Sequence, residues 1–172
     1  MILSIDVGIC NLSYCLLTEI GYIIDWGIID LCGKENSKKI DLITVGRNLR
    51  FAMRDKFLDR LDIIKTVIIE NQLGLHAVRM RCVQHMIMQY WLGMGVSNVQ
   101  FISPKLKLKN YPECDTSTYA QRKQSSIMIT ENLIQNEEIC CNKFRDLFRN
   151  CKKKDDLSDC YLQAKYFLSN KY

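Results

Sequence analysis

Apolar residues in this chain fall into short runs, and several of the runs end on an acid. Ile2-Leu3-Ser4-Ile5 is stopped by Asp6-Val7-Gly8, the pattern of a central strand that leads into a turn. Leu12 to Thr18 follows at hairpin distance, and a third run, Tyr22 to Leu31, comes after Glu19-Ile20-Gly21. Three consecutive strands joined by tight turns account for this opening. Gly33 to Lys39 is polar and reads as a loop. Leu42, Val45, Leu49, Met53, Phe57 and Leu61 then recur every three or four residues, the spacing of one helix face.

Thr66-Val67-Ile68-Ile69-Glu70 is β-branched and apolar, a buried strand closing on a carboxylate. From His76 to Met94 the chain is apolar almost all round, with a polar stripe at Arg81, His85 and Gln89; such a helix is buried or packs on a partner. Val99-Gln100-Phe101-Ile102 predicts a further strand, stopped by Ser103-Pro104, and Tyr111 to Asp115 reads as loop. Thr118-x-x-Gln121 fits a capping box opening a helix through Ile127 and Leu133. A last helix starts near Asp155 and buries Leu157, Tyr161, Ala164 and Leu168. The order β-β-β-α-β-α-β-α-α predicts an α/β fold, a mixed sheet covered by helices, with no repeat or linker to divide residues 1–172.

Composition narrows the class. At 172 residues, with 48% hydrophobic and 25% charged positions, the chain has the size and balance of one globular domain. No stretch approaches the roughly 18 consecutive apolar residues of a membrane span. Asp6 interrupts the N-terminal apolar run and no basic segment precedes it, so no signal peptide is expected. The nine cysteines are odd in number and include no Cys-x-x-Cys pair, which predicts reduced thiols in an intracellular, reducing compartment. His76 and His85 lack a cysteine pair at ligand spacing, which leaves a zinc site weakly founded.

The net charge of +5 is modest, but its distribution is uneven. Lys105, Lys107 and Lys109 alternate after a predicted strand, Arg122-Lys123 lie at a predicted helix start, and Lys143 to Lys154 holds six basic residues against one acid, Asp146. Such local excess suits phosphate binding, although each patch alone also fits a solvated surface.

The acids carry the chemistry. Asp6 and Glu70 each end a buried strand, where an unpaired carboxylate is costly. On a helix, Asp156 and Asp159 lie one turn apart on one face with Gln163. Singly these are also a turn aspartate, a strand end and a helix cap. Together, three or four convergent carboxylates repel one another unless divalent cations hold them, and hard oxygen ligands select Mg²⁺ or Mn²⁺. Two such ions could serve phosphodiester hydrolysis.

The segments Ser4-Ile5-Asp6-Val7-Gly8, Ile68-Ile69-Glu70-Asn71-Gln72, Phe101-Ile102-Ser103-Pro104, Arg122-Lys123-x-x-Ser126 and Asp155-Asp156-Leu157-Ser158-Asp159 together resemble the RuvC-type Holliday junction resolvases, most closely the poxvirus branch. The matches run in family order over nearly the whole chain. The resemblance implies an RNase H-like fold and a homodimer, with the helix 76–94 where such enzymes dimerise. It also implies Mg²⁺-dependent (or Mn²⁺-dependent) symmetric nicking of four-way DNA. Carried over, Asp6, Glu70, Asp156 and Asp159 are metal-binding and catalytic, with Asp155 as the alternative to Asp156, and Lys123 lies near the scissile phosphate. Lys105, Lys107, Lys109, Arg122, Lys152, Lys153 and Lys154 are the expected DNA contacts. A poxvirus-like enzyme of this kind works at the cytoplasmic site of viral replication, including concatemer resolution. Other branched DNA or RNA, and a non-catalytic junction-binding module, are the alternative readings; a two-lobed actin-like ATPase does not fit this length.

Overall fold

The computed structural model describes residues 1–74, 77–114, 117–136 and 140–170. Five strands form one sheet: β1 (Ile2–Asp6), β2 (Leu12–Leu17), β3 (Ile23–Ile29), β4 (Thr66–Glu70) and β5 (Asn98–Ile102), in the order β3-β2-β1-β4-β5. The first three pair antiparallel through tight turns, whereas β1–β4 and β4–β5 are parallel. Gly21 turns the chain between β2 and β3 with φ +91°, a conformation that costs glycine little.

Two helices cover one face: α1 (Leu42–Phe57), capped by the Asp41 carboxylate accepting from Thr44 N at 2.9 Å, and α2 (Val78–Gly93). Val45, Leu49, Met53 and Phe57 of α1 are buried as the periodicity predicts. The helix stops at Phe57, and Leu61 belongs instead to a 3₁₀ segment, Leu58–Ile63. The other face carries α3 (Tyr119–Asn136), α4 (Asn142–Asn150) and α5 (Lys154–Ser169). The capping box forms in full, Thr118 N donating to Gln121 Oε1 and Gln121 N to Thr118 Oγ1.

Strand alternation sorts the core. Leu3, Ile5, Val67 and Ile69 pack toward α1 and α2, with Ile87 and Trp91. Ile2 and Ile68 pack toward α5, with Leu157, Tyr161 and Leu162. Asp6 and Glu70 share the parity of Ile2 and Ile68, so the period of two sends both acids to the α5 face. The β1–β4 register, Ile5 beside Ile69, brings the two strand ends level.

Three expectations change here. The stretch from Lys143 is a helix, α4, with Phe144 and Phe148 buried one turn apart beneath its charges. The helix expected over 76–94 begins at Val78, His76 lies outside the described residues, and only Val83, Gln84, Ile87 and Trp91 are fully enclosed. The remainder of α2 is partly open, and Val78 and Leu92 are exposed, so it is amphipathic rather than buried all round. Finally, Cys10 and Cys32 form a disulfide, with Cα atoms 5.3 Å apart, where reduced thiols were expected; the fold brings the turn after β1 against the segment after β3. The seven other cysteines are outside any disulfide. No helix among the described residues is long and apolar enough to cross a membrane.

Candidate active site

The ends of β1 and β4 and the first turns of α5 meet at one place. Asp6, Glu70 and Asp159 each offer a carboxylate oxygen there, and these atoms all lie within 4.8 Å of one another. The turn after β1 closes tightly, since a Cβ on Gly8 would stand 2.3 Å from Asn11 O. Gln84 of α2 accepts from Gln72 N at 2.7 Å, and the Gln72 amide donates to Glu70 Oε1 at 3.1 Å, which orients that carboxylate. Bonds that fasten α5 to the sheet include Ser13 Oγ to Asp156 O (2.6 Å), Trp26 Nε1 to Leu157 O (3.1 Å) and Gln163 Nε2 to Ser4 Oγ (3.1 Å) and Ile5 O (3.3 Å).

The cluster is strongly electronegative. Burial, and next the charges of Glu70 and Asp159, push Asp6 well above the usual carboxylate range. One cation answers them: Lys107 Nζ lies 3.2 Å from Glu70 Oε2 and 2.5 Å from Asp159 Oδ2. Burial works against the Lys107 charge, but Asp159, Glu70 and Asp6 outweigh it and raise its pKa. Lys107, expected as a DNA contact, lines the same cleft with its ammonium among the acids.

Asp156 lines the same cleft but is not one of the three acids whose oxygens cluster. Its Oδ2 is buried without a hydrogen-bond partner among the described residues, and burial together with Asp155 pushes its pKa up to about 6. Asp155 behaves oppositely. Burial would raise it, but the hydrogen bond and charge of Lys123, whose Nζ lies 2.5 Å from Asp155 Oδ2, bring it below the usual range. The same bond raises Lys123, which also lies 5.0 Å from the centre of the Tyr119 ring. Asp155 is therefore engaged with a cation of the chain, and Asp156 is the adjacent acid with an unused oxygen.

The donor set fits a hard divalent cation: three clustered carboxylates and a fourth with an unpaired buried oxygen. A second grouping, Cys10, Asp30 and Cys32, does not fit, because its sulfurs are joined to each other. His85 is exposed and turned back on Arg81 O, away from any ligand cluster.

The acids open into a cleft of about 850 Å³, lined also by Lys105, Lys109, Arg122, Lys123, Tyr111 and Tyr119. Of the expected phosphate contacts, Lys105, Lys107, Lys109 and Arg122 are thus on the cleft. Lys152 and Lys153 are exposed but do not line it, and Lys154 is paired with Glu131 at 2.8 Å. Gln72 belongs to the Glu70-x-Gln72 motif, but no local signal marks Gln84, the Asp155–Lys123 pairing or the seat of Lys107 among the acids, since each depends on a contact between distant elements.

The sheet order, the flanking helices and acids at the ends of the two central strands define an RNase H-like fold of RuvC type. Among solved structures, the chain is similar to fowlpox virus resolvase in complex with its substrate Holliday junction DNA, at TM-score 0.64 and 19% identity, covering 99% of this chain and 97% of that one. It is likewise similar to Thermus thermophilus RuvC in complex with a Holliday junction substrate, at TM-score 0.64 and 10% identity over 98% and 94%. A second T. thermophilus RuvC structure gives TM-score 0.62 and 10% identity over 98% and 95%. No family model and no curated protein matches the chain.

Proposed function

We propose that this protein is a divalent-metal-dependent endonuclease that resolves four-way DNA junctions by paired nicks. The observation that carries this reading is the convergence of Asp6, Glu70 and Asp159 at the floor of a cleft with a basic rim. Similarity in fold to two resolvases bound to junction DNA supports the choice of substrate.

Asp6, Glu70 and Asp159 would hold Mg²⁺ or Mn²⁺, with Asp156 as the fourth carboxylate. Bound there, the metal supplies Lewis-acid charge at the phosphate and a more acidic water. The chain's own residues do the positioning. Gln72 fixes the angle of Glu70, and Lys105, Lys109 and Arg122 are placed to hold phosphates flanking the reacting one. Lys123, kept cationic and steered by Asp155, is placed to neutralise charge developing on the phosphate.

A homodimer through α2 places two such sites on symmetry-related strands, and the exposed Val78 and Leu92 leave that helix an apolar surface to bury. A poxvirus-like setting would put the activity at a cytoplasmic replication site, in recombination, repair and concatemer resolution.

The test is nicking of a synthetic four-way junction with Mg²⁺, in competition with linear duplex. Symmetric nicks that Glu70→Gln removes are expected. Equal cutting of linear duplex would redirect the reading to a general nuclease, and EDTA-resistant junction binding without any cleavage would redirect it to a binding module.

A further inference from the structure

Lys105, Lys107 and Lys109 all line the cleft, but of the three it is Lys107 whose ammonium sits on the acids. Lys105 and Lys109 are exposed on either side of it, while its own side chain is 15% exposed and touches two acids. The loop backbone is held by successive turns, Leu106 N to Ser103 O, Lys109 N to Leu106 O and Tyr111 N to Leu108 O, and Leu108 is buried. The backbone is therefore fixed, and what can move is the four-carbon stem of Lys107.

The ammonium sits on carboxylate oxygens of two of the three acids that would hold a divalent ion. A Mg²⁺–oxygen bond is about 2.1 Å long. Nζ already lies 2.5 Å from Asp159 Oδ2 and 3.2 Å from Glu70 Oε2. An ion bound through those atoms would stand within a few ångströms of a like charge in a poorly solvated place.

We infer that Lys107 is a built-in competitor for the divalent ion, released from Glu70 and Asp159 when the ion binds. The released ammonium enters the cleft between Lys105 and Lys109, where it meets the phosphate backbone. Metal loading and the positive charge offered to DNA are then coupled through one side chain. This rests on the metal-site reading above, and the test separates the two.

Mn²⁺ alone, at fixed pH and without DNA, is titrated calorimetrically into the wild-type protein and the Lys107→Gln variant. The variant is expected to bind at least about tenfold more tightly, as removal of one adjacent positive charge requires. Equal or weaker binding by the variant, with wild type still binding, overturns the inference and leaves the metal site standing. No binding by either protein overturns both. A second measurement needs no variant: acetylation of wild-type Lys107 by acetic anhydride, read by mass spectrometry. Lys107 is expected to be protected in EDTA and modified several-fold faster with Mn²⁺; an unchanged or slower rate overturns the inference.

Discussion

Two acidic sites occupy opposite faces of the same sheet and treat a carboxylate in opposite ways. On the α1 face, Asp25 of β3 is almost enclosed, and every neighbour is a donor. Tyr14 donates its hydroxyl at 3.1 Å, Trp26 its amide at 2.9 Å and Arg60 its guanidinium at 2.7 Å, with Lys56 Nζ at 3.2 Å. Burial would raise Asp25, but Lys56, Arg60 and Tyr14 outweigh it and hold it below the usual range. On the α5 face, Asp6 meets two more acids and shares one ammonium with them, and it is driven up. Burial acts alike on both; the sign of the neighbours decides the outcome. The Asp25 network is complete as folded, whereas the Asp6 cluster keeps an excess of negative charge that a bound cation would remove.

The comparison can be broken at several points. The largest effect is expected in the under-neutralised site. Asp6→Asn or Asp159→Asn should slow junction nicking by roughly a thousandfold, about 4 kcal/mol of barrier. Thermal stability in EDTA should stay level or rise, because repulsion is relieved. Loss of both activity and stability would mean that these acids hold the fold together.

In the satisfied site the expectation reverses. Asp25→Asn should cost roughly 2–4 kcal/mol in chemical denaturation at pH 7, the range reduced because Lys56 and Arg60 are partly solvated. Nicking per folded molecule should be unchanged. Since the folded pKa of Asp25 lies below its unfolded value, its stabilisation is present above about pH 4 and is lost as pH falls through the lowered pKa. The gap between wild type and variant should therefore narrow below pH 4, and a gap constant from pH 7 to pH 3 would sink this account.

A smaller loss is expected at the cleft rim. Lys123→Met should reduce nicking by about ten- to a hundredfold, with Mn²⁺ affinity little changed. The smallest effect discriminates between adjacent acids. Asp156→Asn, which removes the fourth carboxylate, should weaken Mn²⁺ binding at least about tenfold, the scale on which even partners of ligands count, whereas Asp155→Asn should leave it within about twofold. The reverse result would make Asp155 the ligand and dissolve its assigned role as the anchor of Lys123.

These expectations divide along what sequence can carry. Asp6 and Glu70 were visible because each breaks an apolar run, and strand parity then sends them to one face. The spacing of Asp156 and Asp159 was visible because helices place i and i+3 together. The Thr118 capping box was legible for the same reason: its partners are neighbours in the chain. Asp25 passed unnoticed inside a strand, since its partners Lys56 and Arg60 arrive from a helix end and a 3₁₀ turn far along the chain. Lys107 read as one of three alternating surface lysines, and only folding selects it. α4 leaves little trace in the sequence because Phe144 and Phe148 are sparse among its charges. The Cys10–Cys32 bridge joins positions 22 apart with no motif between them.

One fastening has a consequence for synthesis. The bonds from Gln163 to Ser4 and to Ile5 O span 159 and 158 positions, and they hold the helix that brings Asp159 to Asp6. During translation, a nascent chain that has emerged as far as α4 already carries Asp6 and Glu70 but has no third acid to set beside them. The proposed hydrolytic centre thus comes into being only after α5 leaves the ribosome.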